Sequence, residues 1–343
     1  MGTPMLVAAP RVEHFLAPRQ AGWLAWVVVC IVWGLTYQWI ATGDTWAPLL
    51  FTALRYTLAG LTVLALSPPE QRAAVLRTGS FWRLAIAGCL MFVTGNGILV
   101  WALQSSAAVQ PNPGIVAVTI AMIPVYTSVL SSLKKRSGRW QPATWAGLLV
   151  GLAGVALLSP ELGPPAGGAV RDMPQVPLFL PTSTALVMVA LQFGCISWAA
   201  GSLCASGASR SVPPLIVAGT QMLTAGIVLL VLAFLHGDFS QAPPPPRVVV
   251  AALLSVTVVG SVIGYFCYAV ALRHLSVNTV SLHAYLNPIV AMVVTVAVEK
   301  RAYRPIELVA ALLVLAGVAL ALHTEGLKAR RLSDCGAGRV VKT

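Results

Sequence analysis

Arg55 is the only basic residue deep inside an apolar run of this chain, about ten positions from either end of the stretch 46–66. A guanidinium at that depth costs roughly 2.5 to 3.5 kcal/mol on insertion scales, so something must stabilise it. One chemistry is pairing with an anionic group of a bound molecule. The other is bonding to backbone carbonyls near a kink, or reaching along its own stem toward an interface. No Asp or Glu lies comparably deep in any run. His283 stands beside Ser281, Tyr285 and Asn287. Its ordinary pKa of about 6.5 suits a proton switch, and a neutral imidazole bonded to a neighbouring helix is the other reading.

Pro124 and Pro288 fall near the middle of two further apolar runs. A proline there removes a backbone hydrogen bond and frees a carbonyl, which makes either a hinge beside a cavity or a static kink. Trp33, Asn96, Trp101, Trp198, Tyr265, Tyr268, Tyr285 and Asn287 supply aromatic faces and amides within the same runs. Apolar walls with a few polar groups suit an uncharged or amphipathic small molecule. Trp and Tyr also form interfacial belts, so both roles stay open for them. HExxH, paired deep carboxylates and a nucleophile with a recognisable base are all missing, so no catalytic residue, metal or cofactor is expected. Of six cysteines, five lie in apolar runs without paired or metal-ligand spacing.

The elements that must position these groups are membrane helices. The chain is 57% hydrophobic and only 9% charged, against roughly 25% charged in soluble domains. Ten runs approach the roughly 20 residues needed to cross about 30 Å of hydrocarbon. They cover 22–41, 46–66, 81–103, 112–133 and 142–159, then 182–204, 213–235, 247–272, 276–298 and 305–323. The first is long and closely followed by others, so it reads as a helix and not a cleaved leader.

The net charge of +12 does not imply nucleic acid, because the basic residues follow the loops. With a cytoplasmic amino terminus, sixteen of the 22 Lys and Arg fall in inside segments and five in outside ones. That bias puts both termini in the cytoplasm.

The runs form two sets of five. Leu152-Ala153-Gly154-Val155-Ala156-Leu157 returns as Leu315-Ala316-Gly317-Val318-Ala319-Leu320, 163 positions later, and Pro142 and Pro305 share that offset. Pro124 and Pro288 are 164 apart, and Pro48-Leu49-Leu50 precedes Pro214-Leu215-Ile216 by 166. Several landmarks at nearly one offset indicate an internal repeat. Five is odd, so the second copy enters the membrane in the opposite sense. Such inverted repeats can exchange conformations, which is a route to alternating access. Gly147-x3-Gly151 and Gly260-x3-Gly264 permit close helix approach, within one bundle or in a dimer.

Several short words then resemble the EamA family of the drug/metabolite transporter superfamily. They are Val32-Trp33-Gly34, Ala53-Leu54-Arg55-Tyr56 and Ile123-Pro124-Val125, followed by Gly219-Thr220-Gln221-Met222, Tyr268-Ala269-Val270-Ala271-Leu272-Arg273 and Asn287-Pro288-Ile289. The family's Gly-Glu pair is reduced to Val298-Glu299 in the second half and replaced by Lys134-Lys135 in the first. The resemblance implies ten helices, a central cavity lined by the first, third, fourth, sixth, eighth and ninth, and export of small metabolites.

The sequence thus predicts an all-α polytopic membrane protein of ten transmembrane helices in two inverted five-helix repeats. Residues 1–21 form a cytoplasmic segment, 22–159 the first repeat, 160–181 an external linker, 182–323 the second repeat and 324–343 a basic cytoplasmic tail. The expected activity is secondary transport of a small organic metabolite or drug-like compound in a bacterial inner membrane. A membrane-embedded enzyme and a channel are the rivals. Expected partners are that substrate and the bilayer, with no nucleic acid, and the assembly is a monomer or a homodimer.

Overall fold

The computed structural model describes residues 17–44, 46–103, 119–134, 142–158, 184–299 and 305–340, and every regular element among them is helical. The first half contains α1 (Pro18–Asp44), α2 (Pro48–Ala65), α3 (Pro69–Arg77) and α4 (Phe81–Gly88). A π-helical segment, π1 (Cys89–Asn96), joins α4 to α5 (Gly97–Leu103), and α6 (Ile123–Lys134) and α7 (Pro142–Leu158) follow. The second half contains α8 (Thr184–Ala208), α9 (Pro214–His236), the short α10 (Asp238–Gln241) and α11 (Arg247–Ser255). A second π-helical segment, π2 (Val256–Ile263), leads into α12 (Gly264–His274), α13 (Val277–Ser281), α14 (His283–Glu299) and α15 (Pro305–Val340).

Local chemistry explains many of these boundaries. Proline opens α1, α2, α3, α7, α9 and α15, where the missing N–H is one no helix would satisfy and φ is already suitable. Gly237 ends α9 at φ +90, a left-handed turn that glycine adopts without a Cβ penalty. The Ser276 hydroxyl caps α13 by accepting from the Thr279 N–H at 3.0 Å. Past the apolar run that was expected to end at 323, α15 stays helical to Val340, through a segment containing the helix formers Leu327, Lys328, Ala329 and Arg330.

Eight stretches among the described residues are long and apolar enough to cross a bilayer. They begin with Pro18–Thr36, Pro48–Ala65 and Phe81–Val100 and end with Pro305–Thr324. The fourth and fifth predicted spans correspond to the shorter apolar stretches Ile123–Leu133 and Pro142–Leu157. The fourth was expected from 112, and its start lies outside the described residues. The fifth is α7, whose 17 residues reach about 26 Å at 1.5 Å each. Leu24, Val231, Phe234 and Leu312 are among many large apolar side chains exposed on the outside, as a lipid-facing surface requires.

The two halves pack through glycines in reciprocal fashion. A Cβ on Gly60 of α2 would lie 2.5 Å from the Leu223 backbone of α9, and one on Gly226 of α9 would lie 2.6 Å from the Thr57 backbone of α2. Leu223 and Gly226 follow Thr57 and Gly60 by the same 166 positions. On α7 and α15, a Cβ on Gly154 would meet the Val314 nitrogen at 2.7 Å, and one on Gly317 would meet the Gly151 Cα at 2.6 Å. The repeated hexamer is therefore a packing surface. Gly147 belongs to the same seam, with Gly317 O at 2.8 Å from its would-be Cβ.

π1 and π2 are each eight residues long and stand 167 positions apart. They divide the third and eighth predicted spans, which the sequence reads as continuous α-helix. The fourth and ninth spans also break, at Ala121–Met122 ahead of α6 and at Leu282 ahead of α14. Pro288 lies inside α14. Pro124 does not interrupt a helix as expected: it is the second residue of α6, a first-turn position where a missing N–H costs little.

The two acids in the buried set sit at helix starts and not in mid-span. Glu307 is in the first turn of α15, and Asp238 opens α10. Asp238 Oδ2 accepts from the Leu50 N–H of α2 at 3.0 Å, and its Oδ1 lies 2.5 Å from His236 Nδ1. Trp46 Nε1 donates to the Pro243 carbonyl at 2.7 Å beside them. This clasp holds the start of α2 against the turn after α9.

Candidate functional site

A cavity of about 120 Å³ opens between the two halves. Trp33, Thr36 and Ile40 of α1 line it, together with Arg55 of α2. Gly95 and Asn96 of π1, Leu99 of α5, Ile120 and Ile123 complete the first-half side. The second half contributes Leu191, Gly194, Cys195 and Trp198 of α8, Tyr265 of α12, and His283 and Asn287 of α14. The volume approaches the roughly 150 Å³ of an apolar protein cavity that accepts benzene.

An aromatic cluster builds the floor. The Trp33 ring stands 5.0 Å from Tyr265, 5.2 Å from Tyr268, 5.9 Å from Trp198 and 4.7 Å from the His283 imidazole, centroid to centroid. Trp33 Nε1 donates to the Gly260 carbonyl of π2 at 3.0 Å. Gly264, one turn on, faces the same indole so closely that any side chain there would displace it. The Gly260-x3-Gly264 pair thus seats a tryptophan. Behind it Tyr56 stacks on Phe92 at 4.7 Å, the Tyr56 and Tyr265 hydroxyls are 3.1 Å apart, and Asn96 Nδ2 donates to the Tyr56 hydroxyl.

Arg55 is 5% exposed. Its Nε donates to the Ser261 hydroxyl of π2 at 2.7 Å, and its Cζ sits 4.9 Å from the centre of the Tyr56 ring. Neither partner carries a negative charge, and no carboxylate pairs with this guanidinium among the described residues. The structural role open to Arg55 involves backbone carbonyls near a kink or reach to an interface, whereas its contacts here are to a side-chain hydroxyl and a ring, and the residue is buried. The second span enters the cavity through this one side chain, which the resemblance did not imply.

Three buried polar atoms at the cavity have no hydrogen-bond partner: Trp198 Nε1, His283 Nε2 and Asn287 Oδ1. Their residues are 7%, 3% and 5% exposed. Each such atom costs about 1–3 kcal/mol when left unmade, and all three belong to residues that line the void. Asn287 Nδ2 and His283 Nδ1 are 3.4 Å apart, so these two residues form a linked pair one helical turn apart.

The structure brings Trp33, Asn96, Trp198, Tyr265, His283 and Asn287 together at this void, with Arg55. Two of the other sequence candidates lie elsewhere. Tyr268 lies beneath the lining, bonded to the Ser202 hydroxyl at 2.8 Å. Tyr285 turns away: its hydroxyl donates to the Leu148 carbonyl of α7 at 2.9 Å and its ring covers Gly151. It follows His283 by two residues, about 200° around a helix, and therefore faces another element. Trp101 falls in α5, and its side chain lies outside the described residues. Sequence reasoning missed Thr36 and Cys195. Thr36 is one turn from Trp33 and Cys195 one turn before Trp198, so helical spacing from the two tryptophans was the available signal. No group of three or more His, Cys, Asp or Glu able to hold a metal ion occurs among the described residues.

Comparison with known proteins agrees with this architecture. A model of the EamA-like transporter family matches the chain twice, at residues 20–159 and 185–323. An uncharacterized inner membrane transporter, YedA, of Escherichia coli (strain K12) is 30% identical over 268 residues, which cover 76% of this chain and 78% of that protein. An uncharacterized transporter, YvbV, of Bacillus subtilis (strain 168) is 23% identical over 80% of this chain and 82% of that one. A solved crystal structure shares the fold, with a TM-score of 0.67 at 21% identity, over 92% of this chain and 99% of that chain.

Proposed function

Since the chain belongs to the EamA-like transporter family and is a multi-pass integral membrane protein, we propose that it is a secondary carrier. It moves a small organic molecule outward across a bacterial cytoplasmic membrane by alternating access, with both termini in the cytoplasm. The observation that carries this reading is the void between the halves, lined by residues of both.

The reciprocal contacts support the moving part. Thr57 and Gly60 of α2 face Gly226 and Leu223 of α9, and Gly151 and Gly154 of α7 face Gly317 and Val314 of α15. Residue pairs that exchange roles in this way are related by a pseudo-twofold axis. An odd number of spans per repeat lays that axis in the membrane plane, as in inverted-repeat carriers. The two halves, residues 22–159 and 182–323, then rock about those seams and expose the cavity to each side in turn. The helix breaks and Pro288 lie beside the void, where an α-helix is easiest to bend.

Purified protein in sealed liposomes tests this with a panel of small metabolites. The reading expects flux that saturates with concentration and delivers the compound chemically unchanged. Linear flux without saturation indicates a channel, and a converted product indicates an enzyme. Either outcome overturns the reading.

A further inference from the structure

Two features of the cavity wall favour opposite cargoes. The faces of Trp33, Trp198 and Tyr265 are the surfaces to which organic cations bind. Arg55 places a full positive charge on the same wall. Within a low-dielectric void, repulsion between two full charges outlasts attraction to a ring quadrupole, because Coulomb energy falls only as the inverse of distance. The cavity therefore disfavours cations despite its aromatic walls.

An unpaired buried guanidinium is costly unless something neutralises it. The hydrogen bond of Arg55 uses Nε, which leaves the two terminal nitrogens as donors. Those nitrogens fit the two oxygens of a carboxylate in parallel. Among the described residues, Arg55 is the only Lys or Arg in the lining, and none of them is Asp or Glu. A second negative charge on the cargo would find no partner, and neither would an ammonium group.

We propose that the cargo is a small organic monocarboxylate with a flat apolar body. This rests on the carrier reading and names its substrate class. The carboxylate docks on Arg55, and a body about one aromatic ring in size lies among Trp33, Trp198 and Tyr265. The loaded cavity is electrically neutral and the empty one carries the charge of Arg55. Each cycle therefore moves one negative charge with the cargo, and an inside-negative potential drives export without a titrating carboxylate in the membrane.

Matched probes test the class directly on the purified full chain in detergent, read as the shift in thermal unfolding midpoint with ligand concentration. The pairs are benzoate with benzamide, phenylacetate with phenylacetamide, and isovalerate with isovaleramide. Phenethylammonium and phenylalanine serve as cation and zwitterion. At least one monocarboxylate is expected to bind tenfold or more tightly than its amide and than the cation or zwitterion. Arg55→Gln is expected to erase that preference and Arg55→Lys to restore part of it. Equal or tighter binding of the amide, cation or zwitterion overturns the proposal. So does an unchanged preference in Arg55→Gln, or no response to any carboxylate. Should the variants fail to fold, the acid-to-amide comparison on the native chain decides alone. Carboxylate binding without transport in liposomes sinks the carrier reading and leaves this site standing. Saturable transport of neutral or cationic compounds without carboxylate preference does the reverse.

Discussion

Arg55 and Ser261 meet guanidinium to hydroxyl at 2.7 Å across 206 residues of sequence. The contact ties α2 of the first half to the π-helical segment of the second and holds Arg55 at the wall of the void. π-helical turns recur at functional sites because their wider spacing leaves carbonyls and side chains free for new partners. Here the Gly260 carbonyl takes the Trp33 indole N–H while the next residue takes Arg55.

Arg55→Gln separates stability from function. Removing a charge that costs roughly 2.5–3.5 kcal/mol to insert offsets the loss of its hydrogen bond to Ser261, worth about 1.5–3 kcal/mol, and of its contact with the Tyr56 ring, worth about 0.5–2 kcal/mol. The variant is expected to unfold at nearly the same temperature as the native chain, while transport of a cargo falls at least tenfold. A large drop in unfolding temperature measured in detergent would assign Arg55 to the scaffold.

Trp198→Phe makes a complementary case. The indole N–H is buried without a partner, so phenylalanine removes a penalty of about 1–3 kcal/mol and opens a small space. Stability is expected to change by less than about 1 kcal/mol, because the two effects oppose each other. Affinity for a cargo that bonds the N–H is expected to fall about tenfold, which ligand-dependent thermal shifts would measure.

The glycine seam predicts an equivalence. Gly154 and Gly317 occupy the same place in the two halves and meet Val314 and Gly151 in turn. Gly154→Leu and Gly317→Leu are expected to destabilise by similar amounts, about 1–3 kcal/mol or more, since the facing backbone leaves no room. Unfolding temperatures that differ strongly between the two variants would contradict a pseudo-twofold arrangement.

Much of the fold was legible because hydrophobic length is a coarse and strong signal. The apolar runs, the proline-opened helices and the repeated hexamer all have direct structural counterparts. The broken helices were not legible. Val256–Ile263 is uniformly small and apolar, so nothing in its pattern distinguishes π-helical from α-helical winding. The cavity was half legible, since tryptophan, amide and histidine mark unusual positions on apolar helices. The entry of Arg55 was invisible to spacing, because its partner, the Ser261 hydroxyl of π2, comes from the other half, 206 residues away. Tyr285 was misplaced because proximity to His283 in sequence does not imply a shared helix face.

Pro288 deprives the Ala284 carbonyl of its helical N–H partner, immediately beside His283 and Asn287 at the void. If α14 bends there during the cycle, Pro288→Ala is expected to slow turnover about tenfold while cargo affinity changes less than threefold. Initial rates and thermal-shift affinities on the same preparation would show it. Unchanged turnover would make the proline a static kink.

Counterflow tests the central claim most directly. Liposomes holding the native chain are loaded with an unlabelled small monocarboxylate, and a trace of the labelled compound is added outside without a pH gradient. Alternating access around a saturable site predicts that the label accumulates transiently above its external concentration and then declines, and that liposomes with Arg55→Gln show no such rise. Equilibration of the label without any overshoot in the native chain, at concentrations where the loaded compound saturates the site, would contradict it.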